Sequence, residues 1–367
     1  MFDSVYRPVV GALLAVSLLA AGCSSGGGGG GSNRNGPIGV GIDTSGAWLV
    51  PPEQVVDGGP GLDGIPALQS PMFESAATIT TVEDNDFVIA VKSAGEIKVY
   101  PHDIMDYHEI VNDGPDDDPF TMSYCPLTGS ALAWRGNMGD ADRTYGVSGL
   151  LFNSNLLLYD RETRSIWSQM LQISVNGDRI RSRPETFAVM ETTFGTLKAM
   201  YPDAMVMTRD TGHVRDYDDY PYGSYRTSTA LLFPVETQDS RAHPKERGVG
   251  IHDATSAKVY QLGGFGDTTT AINDEFAGQS IVVVGNTANN FGVIYNRELA
   301  DGTILSFEAI DGDLPNVLRD TEGNVWDIFG TAVSGPRVGT QLQATQSYIA
   351  MWFAWAAHFV EVQLHFN

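Results

Sequence analysis

Cys125 and His108 are the side chains in this sequence best suited to chemistry. A thiolate is a nucleophile and a soft metal ligand, and a neighbouring imidazole lowers the pKa of its thiol. Cys125 ends the apolar run Phe120 to Tyr124 and precedes Pro126 and Gly129, so a strand exits into a loop there. Such exits place side chains at sheet edges, where sites are often built. His108 lies seventeen residues upstream, with Glu109 or Asp113 placed to orient its ring. Cys125, His108 and Asp113 thus form one candidate catalytic set. Asn112, Arg161, Trp167 and Gln169 form a candidate ligand-binding set, in which Arg161 can clamp a carboxylate through paired N–H donors. His102, His108 and Cys125 form a third set, of N and S donors suited to copper or zinc, although His-x5-His is not a standard ligand spacing. The plain alternative is a buried, inert cysteine beside a histidine bonded to backbone.

Other stretches carry less. Asp116-Asp117-Asp118 lacks the alternating Asp and distal Glu of a calcium loop and reads as a solvated acidic turn. Tyr217, Tyr220, Tyr222 and Tyr225 around Pro221 make either an aromatic rim or a packed loop. No GxSxG, P-loop, GxGxxG or HExxH occurs in a usable context, which argues against the hydrolase, nucleotide-binding and zincin classes.

The N-terminus reads as an address. Arg7 precedes an apolar run from Val9 to Ala21, too short to span a bilayer comfortably and right for a signal-peptide core. Leu19-Ala20-Ala21-Gly22-Cys23 looks like a bacterial lipobox, which implies that Cys23 is acylated and becomes the first residue. Ser24, rather than Asp, then favours the outer membrane, facing the periplasm. The membrane is the expected partner through this anchor, with a small molecule or metal as the expected ligand. The glycine run that follows is a flexible tether. Acylation of Cys23 leaves Cys125 unpaired, since the chain has only 2 cysteines.

The chain of 367 residues carries 22 Lys+Arg against 45 Asp+Glu, a formal charge of −23. No basic run exists, so nucleic acid is excluded as a partner. Hydrophobic residues at 42% are too many for a disordered acidic tail and indicate a folded protein.

The elements that must position these residues occur twice. Lys98-Val99-Tyr100 returns as Lys258-Val259-Tyr260, Asn112-Asp113 as Asn273-Asp274, and Ser165-Ile166-Trp167 as Asn324-Val325-Trp326, each about 160 positions later. The matches are collinear, as a duplication would leave them. Segments 1–22 and 23–37 are the leader and tether, 38–84 a lead-in, 85–205 copy one, 206–245 a connector and 246–367 copy two. Within copy one, Phe87 to Val91 and Glu96 to Tyr100 suggest a hairpin around Ala94-Gly95. Met190, Phe194, Leu197 and Tyr201 recur at helical spacing, as do Tyr348, Trp352, Trp355 and Phe359 in copy two. These aromatic stripes read as core. The expected fold is a β-rich α+β protein, two diverged tandem copies each ending in a helix and packed about a pseudo-two-fold. Matching the copies sets Thr269 against His108 and Gly285 against Cys125, so the reactive pair belongs to copy one.

Three stretches, His108 to Asp113, Tyr124 to Ala131, and Tyr159 to Thr163 with Ser165 to Gln169, resemble the DUF3179 family of uncharacterised bacterial and archaeal proteins. Gly146 to Leu150, Gly58-Gly59-Pro60 and Asp63 to Pro66 also fit, and the resemblance spans about 48–360. Some members carry a second Cys where this chain has Thr128, which speaks against a dithiol mechanism here. The family implies no activity. Two readings stand: an envelope lipoprotein binding a small ligand or metal in copy one, or an enzyme or thiol-redox protein in which His108 activates Cys125.

Overall fold

The computed structural model describes residues 45–136 and 143–365; the leader, Cys23 and the tether lie outside these residues. Among the described residues no helix is long and apolar enough to cross a membrane. The architecture is α+β and strand-rich, with three short α-helices among the described residues.

The first half opens with a hairpin of Phe87–Ser93 and Glu96–Pro101. Ala94 and Gly95 both take positive φ, 49° and 83°, as a tight two-residue turn requires. Val189–Thr193 pairs antiparallel with the first of these strands, and Met205–Met207 pairs parallel with the second. A meander of Ile110–Asp113, Phe120–Cys125 and Ser130–Arg135 follows. Next comes a run of Tyr145–Phe152, Asn155–Asp160, Ile166–Ser168 and Ile173–Asn176. Asn153 and Ser154, both at positive φ, turn the chain inside what reads in sequence as one apolar stretch.

The second half follows the same order. Arg247–His252 and Ser256–Gln261 form a hairpin, flanked antiparallel by Ser347–Met351 and parallel by Glu361–His365. Thr270–Phe276, Gln279–Asn286 and Phe291–Asn296 form the meander. Phe307–Ala309, Asn316–Asp320, Val325–Asp327 and Ala332–Ser334 complete it.

Packing is crossed between the halves. Val88, Val99 and Met190 of the first hairpin sheet, with Phe194 just after it, share a core with Val282, Phe291, Trp326 and Phe329. Val259, Tyr348, Trp352 and Trp355 share another with Leu132, Trp134, Tyr145 and Trp167. Fully burying an aromatic of this size contributes about 1.5–3 kcal/mol. The fit is close: a Cβ on Gly250 would lie 2.6 Å from Trp355 Cζ2, so only glycine passes there.

The terminal helices are shorter than their periodicity suggests. Phe194–Met200 and Trp352–His358 are helical, while Met190 and Tyr348 lie on the preceding strands. Thr193, extended at φ −80° and ψ 152°, accepts from Thr196 N and sets the first helix start. Spacings of three and four residues run across such a strand–helix junction and imitate one long helix. The stripe residues are core as expected, with Tyr348 and Trp355 stacked at 4.5 Å. A third helix, His102–His108, replaces what reads as a loop.

Candidate functional site

Cys125 and Ser130 pair across the tight end of the meander, where Thr128 N and Gly129 N donate to Cys125 O at 3.3 and 2.8 Å. The thiol is buried, and its Sγ lies 3.9 Å from Ser154 O, to which it donates. Burial, and then the nearby Glu109 carboxyl, push the thiol up to about 11. Beside it, Asn155 Nδ2 donates to Thr128 Oγ1 and to Gln169 Oε1, and Gln169 Nε2 donates to Ser123 Oγ. All these groups are satisfied inside the protein. Met351 N donates to Thr128 O at 2.8 Å and ties the turn to the second half.

His108 ends its helix fully buried. Its Nδ1 lies 2.8 Å from Pro66 O and its Nε2 2.7 Å from Tyr217 OH. A carbonyl only accepts, so Nδ1 carries the proton and Nε2 accepts from tyrosine. Burial pushes the imidazole down to about 4 and keeps it neutral. Both ring nitrogens are thus occupied away from Cys125, and no hydrogen bond joins the two residues. Asp113 binds Lys98 Nζ at 2.8 Å and Tyr100 OH at 2.7 Å rather than His108. His102 Nε2 lies 3.2 Å from Glu191 Oε2. His102 and His108 are six residues apart on a helix, which turns them to different faces. Among the described residues no three His, Cys, Asp or Glu side chains gather as ligands would, so His102, His108 and Cys125 do not converge.

The ligand-binding candidates hold the fold at separate places. Asn112 pairs with the backbone of Tyr145 in both directions, at 2.9 and 2.8 Å. Arg161 bridges to Asp63 at 3.3 Å. Trp167 Nε1 donates to Asp160 at 2.9 Å. Gln169 belongs to the network beside Cys125.

The residue that stands apart is Glu109, weighed in sequence only as a support for His108. It follows the helix at φ 57° and ψ −32°, a conformation costly for any residue with a Cβ. Its backbone is fixed, donating to Met105 O at 2.9 Å and accepting from Tyr124 N at 2.7 Å. The residue is 6% exposed, yet among the described residues no hydrogen bond or ion pair reaches its carboxyl. The carboxyl lines a pocket of about 320 Å³ walled by Ile65, Leu127, Leu151, Leu156, Tyr222 and Phe233. Burial, and then the charge of Asp106, push it up to about 8. Nothing in the residue types sets Glu109 apart from Asp113. What makes its surroundings apolar is the return of the Tyr145–Asp160 hairpin and of the connector.

The connector tyrosines divide their work. Tyr225 OH donates to Leu127 O at 2.9 Å, and Tyr220 lies beneath the Arg226 guanidinium. Tyr222 alone of the four lines the apolar pocket. A separate polar cleft of about 480 Å³ is lined by His102, Asp106, Arg209 and Arg226. Its charges are paired internally, Asp106 with Arg226 at 2.7 Å and Arg209 with Asp103 at 2.7 Å.

Neither curated proteins nor solved structures give a match to this chain. A family model described as "Protein of unknown function (DUF3179)" matches residues 62–362, a span that holds Glu109, Cys125 and every strand of both hairpin sheets except the edge of the last, and the chain belongs to that family.

Proposed function

We propose that this chain is an envelope lipoprotein whose first half binds a small, mostly apolar molecule. One observation carries the reading: a strained, buried carboxyl without a partner forms the polar spot of an apolar pocket. Burying such a group costs free energy unless something satisfies it. Binding pockets are typically apolar walls with a few placed polar groups, at volumes of about 300–1,000 Å³. The lipobox at Cys23 and the glycine run behind it support an anchor in the outer membrane, facing the periplasm, with a tether that lets the folded part stand off the lipid.

We also propose that the folded part arose by duplication, as two copies at 85–205 and 246–367 about a pseudo-two-fold, with a lead-in at 38–84 and a connector at 206–245. The shared strand order and the crossed cores support this. On this reading the first copy keeps the site, and the second serves as scaffold.

A neutral naphthylamine dye that fluoresces in apolar surroundings tests the pocket. Emission should rise with the detergent-solubilised protein and fall at least fivefold with Leu156→Trp, which fills the pocket. Circular dichroism verifies the fold of the variant. Equal emission from both proteins overturns the reading. For the anchor, Cys23→Ala should leave an uncleaved precursor without the mass of a lipid.

A further inference from the structure

We infer that the pocket takes an apolar primary amine, its ammonium group seated on the Glu109 carboxyl; this rests on the binding function proposed above. The argument begins with what the pocket lacks. Leu127, Leu151, Leu156 and Phe233 offer no hydrogen bond, and Tyr222 contributes one phenol. That phenol makes no hydrogen bond to Glu109, so among the described residues the carboxyl has no donor and a ligand can bring one. Three kinds of polar head compete. A carboxylate is disfavoured by the chain's net charge of −23, and it gives up any ion pair with Glu109. An alcohol makes one ordinary hydrogen bond. An ammonium makes charge-assisted bonds, about twice as strong, and turns the cost of a lone buried carboxylate into an ion pair. The walls then take the hydrocarbon, and 320 Å³ suits a short alkyl or aryl chain.

The surroundings of Glu109 give the complex a signature. The ionisable groups coupled to it are Asp106 on the preceding helix, Cys125 on the adjoining strand and Tyr222 of the connector. None is a cation. Free Glu109 therefore holds its proton at neutral pH, up to about 8. An arriving ammonium favours the carboxylate, so that proton leaves to solvent. Binding at pH 7 should release close to one proton per ligand, and an alcohol should release none.

Hexylamine and hexanol, titrated by calorimetry into the detergent-solubilised full chain in two buffers of different ionisation heat, measure both quantities. Glu109→Gln in the same detergent serves as the subtraction. Hexylamine should bind at least tenfold more tightly than hexanol, release close to one proton at pH 7, and lose both features with Glu109→Gln. The proton count needs only the wild-type protein, so a poorly folding variant leaves the test intact. If hexanol binds as tightly and no proton is released, the amine inference falls while the apolar pocket stands. If neither compound binds the wild-type protein above a titration into detergent alone, both readings fall.

Discussion

In the first half Asp160 Oδ2 accepts from Trp167 Nε1 at 2.9 Å; in the second, Asp320 Oδ2 accepts from Trp326 Nε1 at 2.8 Å. Asn112 grips the backbone of Tyr145 as Asn273 grips that of Phe307. Asp113 takes Lys98 and Tyr100 as Asp274 takes Lys258 and Tyr260. These bonds recur because they hold the same turns and strand ends. Strand pairing also corrects the sequence match by one residue. Asn112 faces Thr121 and Asn273 faces Val282, which sets Cys125 against Asn286 rather than Gly285. Asn286 Oδ1 accepts from Asn289 N at 2.8 Å, and at the matching turn Thr128 N donates to Cys125 O while the Cys125 sulfur faces Ser154 O. The thiol thus sits where the other half places a turn cap. Glu109 has no such double: its place is held by Thr270, whose hydroxyl donates to Phe265 O at 3.1 Å. Groups with a counterpart serve the scaffold, and Glu109, which has none, is the group on which the proposed site rests.

The largest effect should come from the shared Asp–Trp bonds. Asp160 accepts from Thr163 N and Oγ1 as well as Trp167, and Asp320 from Asn324 N and Nδ2 as well as Trp326. Each alanine substitution strands several buried donors at about 1–3 kcal/mol apiece. Asp160→Ala and Asp320→Ala should each cost about 3–5 kcal/mol in urea unfolding. A loss in one half only would break the equivalence.

Glu109→Gln should act in the opposite direction. Folded Glu109 keeps its proton to about pH 8, whereas an unfolded glutamate releases it near 4.5. The folded state therefore binds the extra proton in that window, and stability falls as pH climbs through it. Glutamine has no such proton. Relative to wild type, the variant should gain on the order of 2–3 kcal/mol between pH 5 and pH 7.5, at about 1.4 kcal/mol per unit. Urea midpoints of both proteins across that range measure it. A constant difference would show that Glu109 is partnered in solution. Three buried histidines, His102, His108 and His252, and the half-buried His358 are each held down to about 4. They work at the acid end: unfolding takes up their protons, so stability falls as pH drops from about 6.5 to 4.

Much of the scaffold was legible in the residues. Ala94-Gly95 between two apolar runs marked a hairpin, and the recurrence of Lys-Val-Tyr and Asn-Asp marked strand ends that keep one set of bonds. The aromatic stripes marked core. The site was less legible because its chemistry is made by surroundings rather than by residue type. His108 and Cys125 are reactive in kind, yet Pro66, Tyr217 and Ser154, reached through loops, occupy their polar atoms. Glu109 is ordinary in kind, and only segments distant in sequence, Leu151 to Leu156 and Tyr222 to Phe233, wall it off from water. The His102–His108 helix was hidden for a related reason. Its seven residues mix buried His102 and Asp106 with Ile104 and Met105, so no clean apolar stripe announces it.

The smallest effect concerns Cys125, and it separates the two readings of the first half. If the thiol is a turn cap, a hydroxyl does nearly the same work. Cys125→Ser should then cost about 1 kcal/mol or less in urea unfolding, since serine keeps a donor for Ser154 O at the price of a more polar buried atom. A thiol held up to about 11 is also a poor nucleophile at neutral pH. Its alkylation by iodoacetamide should be negligible in the native protein at pH 7.5 and should keep climbing past pH 8.5, with full modification only on unfolding. An activated thiol would do the reverse: it would react at pH 7 and level off below 8.5. That plateau, measured on the native protein, would move the site from Glu109 back to Cys125. It would also mean that the two halves differ at their shared turn and not only at the pocket beside it.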